Sequence, residues 1–219
     1  MIKDESSFVL KIARFLRKHD GGAASSTVHV DQDATLVLIG YPPHGSEMPQ
    51  GTSFHLDRLC ATNVGFALST GSDPDIKEPI AVWYVVCAND WEDVQEVAAR
   101  MKLNLTEDVI PEAVARRLSD ALGRTPCGMF PKLRIQHQFS GDVFRIVAGT
   151  YHSVVNVRPN VKLAFDVADD SLLCLYAKVL REYFAEDVSS DDYGCLEGIL
   201  SEIVVNFAAR IIGDRKRFG

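Results

Sequence analysis

Apolar residues recur along this chain with two periods, and the switches between them divide it into elements. In the last stretch, Ser189 to Arg217, the residues Leu196, Ile199, Leu200, Ile203, Val204, Phe207, Ala208 and Ile211 follow at spacings of three and four. That is the pattern of one long helix with a broad apolar stripe. Ser189, Ser190, Asp191 and Asp192 suit its start, and Gly213 followed by Arg215, Lys216 and Arg217 suits its finish. Phe8, Val9, Ile12, Ala13, Phe15 and Leu16 predict a first helix over Ser6 to Lys18, ended by Gly21-Gly22. Ile80 to Cys87 is uniformly apolar, with Trp83 and Tyr84 at its centre, and predicts an interior strand covered on both faces.

Between these landmarks, Thr27 to Val30 and Thr35 to Ile39 read as a hairpin, and the proline-rich Tyr41 to Gly51 reads as a loop. Phe54 to Cys60 and Val64 to Ser69 read as strands. Asp90 caps a helix through Met101, and Pro111 opens another through Leu122. Leu133 to Phe139, Val143 to Ala148, Tyr151 to Val157 and Val161 to Val167 are further strands, and Asp169-Asp170 caps a helix running through Tyr183. The order strand, helix, acidic link, helix thus occurs twice, over Ile80 to Leu122 and over Val161 to Ile212. Leu105-Thr106-Glu107-Asp108-Val109 matches Phe184-Ala185-Glu186-Asp187-Val188 at the link. The expected fold class is α/β (α+β): a single antiparallel-rich sheet with packed helices, built as one domain from two pseudo-symmetric halves, about 1–124 and 125–219.

Composition narrows the function. With 47% hydrophobic and 24% charged residues the chain is an ordinary globular sequence, and a net charge of −7 argues against a nucleic-acid partner. Cys60, Cys87, Cys127, Cys174 and Cys195 lack paired spacing and read as reduced thiols, which with the absence of an apolar leader or membrane-length run leads us to expect a cytoplasmic protein. No phosphate loop, dinucleotide fingerprint or nucleophile elbow occurs. The histidines have no metal-ligand spacing. His55 with Cys60 and Cys127 with His137 read as chance neighbours, so no metal or other cofactor is expected.

One constellation remains. Glu202 and Asn206 fall one turn apart on the polar face of the final helix, with Gly198 and Ala209 beside them, an arrangement that also suits a merely solvated face. With the strand Val161-Lys162-Leu163-Ala164-Phe165, the helix after it and the acidic link, this region resembles the CheC/CheX/FliM-type chemotaxis phosphatase superfamily. The resemblance covers the C-terminal half and implies two pseudo-symmetric halves and an E-x-x-N phosphatase motif. Here the pair is Glu202-Ile203-Val204-Val205-Asn206, one residue longer. It implies hydrolysis of an aspartyl phosphate on a phosphorylated response regulator, with Asn206 holding a water and Glu202 meeting a cation of the partner. Other readings are an adaptor of the same fold and an unrelated α/β protein with a ligand pocket at Tyr41 to Gly51. The expected partner is a response-regulator-like or other protein, with homodimerisation open, and no membrane span.

Overall fold

The computed structural model describes residues 28–30, 36–42, 49–57, 60–68, 78–125 and 129–169. The chain divides into two compact units, one made of residues 36–57 and 61–164 and the other of 1–35, 58–60 and 165–219. In chain order the strands are β1 (Val28–Val30), β2 (Leu36–Gly40), β3 (Gly51–Leu56), β4 (Cys60–Ala67) and β5 (Ala81–Cys87). Helices α1 (Trp91–Arg100) and α2 (Glu112–Leu122) follow, then β6 (Leu133–Gln138), β7 (Val143–Ile146), β8 (Thr150–Asn156) and β9 (Asn160–Asp169). No described helix is long and apolar enough to cross a membrane.

β5 organises the larger unit. It lies inside a four-stranded antiparallel sheet of order β3-β8-β5-β6, paired with β8 from Ala81↔Asn156 to Cys87↔Thr150 and with β6 from Ala81↔Gln138 to Val86↔Leu133. Its alternate residues enter two different cores, as the two-residue period of a strand requires. Val82, Tyr84 and Val86 pack against Trp91, Val94, Ala98, Ile110, Ala115 and Leu118 from the helical side. Ala81, Trp83 and Val85 pack with Val154 against Ile146, Phe144 and Ala61 of a second antiparallel sheet. That second sheet contains β9, β4 and β7 in this order, with β1 and β2 both pairing with β9.

The interior strand is therefore as the sequence predicts, but the single sheet is not. β5 and β9 lie in separate sheets, which overturns the α/β class as stated, one antiparallel-rich sheet with packed helices in two pseudo-symmetric halves. The physical reason lies in β5 itself. A strand apolar on both faces needs two covers, and helices on one face supply only one. The second sheet supplies the other. The β1–β2 hairpin is also corrected, since Val28–Val30 pairs with residues 167–169 and Leu36–Gly40 with residues 160–164. Asp169 is the last residue of β9, and the helix expected after it, through Tyr183, lies outside the described residues. β3 ends at Leu56 and β4 begins at Cys60, both earlier than the alternation suggests.

Polar side chains cross the space between the sheets, each tied to a partner. Trp83 Nε1 donates to Gln138 Oε1 at 2.9 Å, and Gln138 Nε2 donates across to Asn63 Oδ1 at 3.3 Å. Gly65 makes room for this, because a Cβ there would meet Ile80 Cδ1 at 2.5 Å and Gln138 Nε2 at 3.1 Å. Further along, Lys162 Nζ donates to Asn156 Oδ1 at 2.7 Å, joining the second sheet to the first. Burial pushes the Lys162 ammonium down to about 8.

That depression sets a testable pH dependence. Below pH about 8 both folded and unfolded chains hold the Lys162 proton, and the folded state carries the full cost of a desolvated charge. As pH rises toward the unfolded value near 10.5, the folded state loses its proton first, so stability rises through this window. A shift of this size corresponds to about 3 kcal/mol at most. Urea unfolding of the parent and of Lys162→Met across the window should show the parent gaining stability relative to the variant. A constant difference between them would contradict the burial of this charge.

Candidate functional site

The edge strand β3 carries one irregularity, and the site follows from it. Thr52 pairs with Val154, but His55 pairs with His152, so Ser53 and Phe54 together oppose Ser153. One extra residue in β3 is a β-bulge, which reverses the faces of everything beyond it. Phe54 thereby enters the helix-side core, its ring centroid 5.4 Å from that of Trp91, while His55 turns to the opposite face beside His152. The polar groups released by the bulge are satisfied. Phe54 N–H donates to Leu105 O at 3.0 Å and Ser53 Oγ to Thr106 O at 2.9 Å. Lys102, with φ 61°, closes α1 and turns the chain so that Leu105 and Thr106 reach β3.

On the far face the consequence is a cluster of three ligand atoms. His55 Nε2 lies 3.8 Å from Asp57 Oδ1, and His152 Nε2 lies 3.4 Å from Asp57 Oδ2. The two imidazole rings are 4.2 Å apart, and the ligand atoms of all three residues lie within 4.8 Å of one another. His55 and Asp57 share a face by the strand period, and His152 is the cross-strand neighbour.

Each ring is fixed by the backbone. His55 Nδ1 is 2.9 Å from Ser53 O and His152 Nδ1 is 3.2 Å from Thr150 O. A carbonyl oxygen only accepts, so both Nδ1 atoms carry hydrogen in the neutral ring and both Nε2 atoms present lone pairs toward Asp57. Burial, with a smaller contribution from His55, pushes the His152 pKa below the ordinary histidine range, against Asp57 and the Thr150 carbonyl. Trp83 walls the inner side, stacked on His152 with centroids 5.9 Å apart. The outer side is open, with 39% of the His55 side chain and 28% of the Asp57 side chain exposed, against 4% for His152.

Of the residues singled out from the sequence, Glu202 and Asn206 lie outside the described residues, as do Cys127 and most of the Tyr41 to Gly51 loop. His55 meets Asp57 and His152, while His137 faces Glu112, its Nε2 3.3 Å from the carboxylate. The local part of the signal was in the sequence, since His55-x-Asp57 places two donors on one face of a strand. The register that adds His152 was not. Comparison with protein-family models and with curated proteins finds no match to this chain.

The ring assignment is open to direct measurement. Long-range nitrogen–proton NMR of the metal-free protein, above the pH at which the rings are neutral, should show His55 and His152 as Nδ1–H tautomers. Nε2–H tautomers at both would remove the lone pairs on which the cluster's chemistry depends.

Proposed function

We propose that this protein binds a divalent transition-metal ion through His55 Nε2, His152 Nε2 and the Asp57 carboxylate, and uses it as a Lewis acid. The supporting observation is that the Nε2 atoms of two histidines held by backbone carbonyls converge with a carboxylate within 4.8 Å, which in the neutral rings gathers lone pairs with no hydrogen between them. Two imidazoles and one carboxylate suit zinc, iron(II) or cobalt(II) better than magnesium or calcium, which prefer all-oxygen shells. The Nδ1–H bonds to Ser53 O and Thr150 O are the outer contacts that metal-binding histidines ordinarily make. Three protein ligands leave coordination positions for water, whose proton such an ion releases near neutral pH.

Calorimetric titration of metal-free protein with zinc should give one ion per chain. His152→Ala should abolish that binding, and Asp57→Asn should weaken it by about tenfold or more. A direct optical readout is also available, because Trp83 stacks on His152. In a Trp91→Phe background, cobalt(II) should quench Trp83 emission in step with binding. Parent and His152→Ala proteins with equal affinity would overturn the metal reading.

Hydrolysis of an aspartyl phosphate on a response regulator is a second proposal, supported by the Glu202 and Asn206 pair of the sequence alone. It has lost the shared-sheet argument. Asn206→Ala should abolish any acceleration of regulator dephosphorylation with binding retained, while Glu202→Lys should weaken binding. A parent protein that accelerates decay of no regulator would leave the adaptor reading in its place.

A further inference from the structure

Resting on the metal reading above, we propose that the ion's open positions take an anionic oxygen ligand, a carboxylate or phosphate oxygen supplied by the substrate. Charge comes first. Asp57 is the only carboxylate in the cluster among the described residues, and both histidines are neutral donors, so a divalent ion held there keeps one formal positive charge. A site closed to further ligands would bring a fourth protein donor, and none is in this group among the described residues.

Placement comes second. His152 and Trp83 are almost completely buried, which removes water from the inner side of the ion and strengthens its field toward a ligand. His55 and Asp57 are partly exposed, so the free positions face the side from which a solute arrives. The third is the lack of competing donors. Both ring N–H groups are taken by Ser53 O and Thr150 O, so an incoming oxygen finds the ion and not an imidazole hydrogen. A neutral or cationic solute gains nothing from this arrangement beyond displacing water. An anionic oxygen cancels the residual charge and, as a phosphate or carboxylate ester, would be polarised beside a metal-bound hydroxide.

The test uses the full chain loaded with cobalt(II), whose visible bands report its coordination. The parent should show cobalt bands that shift saturably on adding inorganic phosphate or acetate, with phosphorus-31 broadening if phosphate coordinates. A shift with phosphate alone or with acetate alone supports the proposal and names the source of the oxygen. Asp57→Asn, held at saturating cobalt, should bind the anion several-fold more tightly while holding cobalt more weakly, because it raises the charge left on the ion. Bands that appear but are moved by neither anion would overturn this proposal and leave the metal site standing. Unchanged or weaker anion binding in Asp57→Asn would overturn the charge argument and the proposal with it. Absence of cobalt bands in the parent would instead overturn the metal reading on which it rests.

Discussion

A strand with apolar residues on both faces cannot lie on the surface of anything, and β5 imposes that requirement on the larger unit. Six of its seven residues are buried. Burial of side chains of this size stabilises by roughly 1.5–3 kcal/mol each, so leaving either face of β5 open would cost a large part of the roughly 5–15 kcal/mol that a domain has in reserve. The helices α1 and α2 meet one face and β4 and β7 meet the other. The four-stranded sheet is consequently a middle layer. Any polar group on its inward face must find a partner within the protein, which is why Trp83, Gln138 and Asn63 form a hydrogen-bonded chain there.

The candidate site exists because that middle layer has an edge. At β3 the inward face of the sheet comes out toward solvent, and a bulge between Thr52 and His55 decides which residues point that way. Without the extra residue, Phe54 would face the second sheet and His55 the helices, a large apolar group and a polar one each in the wrong place. The bulge resolves both together. Packing of Phe54 against Tyr84 and Trp91 holds the irregularity from one side, and the Leu105 carbonyl holds its free N–H from the other. The cluster of His55, Asp57 and His152 on one face is thus secured by a hydrophobic contact on the opposite face.

How much of this the sequence discloses differs by element. β5 is legible because eight consecutive apolar residues with two large aromatics leave no other reading. α1 and α2 are legible from their periods and their ends, although Asp90 makes no side-chain capping bond and a short turn over Ala88–Asp90 leads into α1 instead. β6, β7 and β8 are separated by Gly141 and Gly149, both at positive φ, where a turn is cheap for glycine. Strand partners are another matter. Alternation states that a segment is a strand and says nothing about whether β9 joins β5 or β4. Two similar orders of elements do not imply one shared sheet, and β5 and β9 lie in different ones. His152 was missed for the same reason, since only the register of β3 on β8 places it opposite His55.

A shared proton and a metal ion make different demands on the same three residues, and the distances bear on both. A proton bridges two atoms, and it draws nitrogen and oxygen to about 2.7–3.2 Å. Here the carboxylate stands 3.4 Å from one ring and 3.8 Å from the other, with a different oxygen turned toward each, so it makes a close hydrogen bond with neither. Ligands about 2.0–2.1 Å from a common ion are held apart from one another by roughly 3.0–3.4 Å, close to the 3.4 Å between His152 and Asp57, whereas the three ligand atoms lie within 4.8 Å of one another, so His55 would have to move inward to share an ion. Protonating His152 would also place a charge where burial already opposes one. A metal ion, as proposed above, would ask for no such proton and would use the lone pairs that the Ser53 and Thr150 carbonyls turn inward.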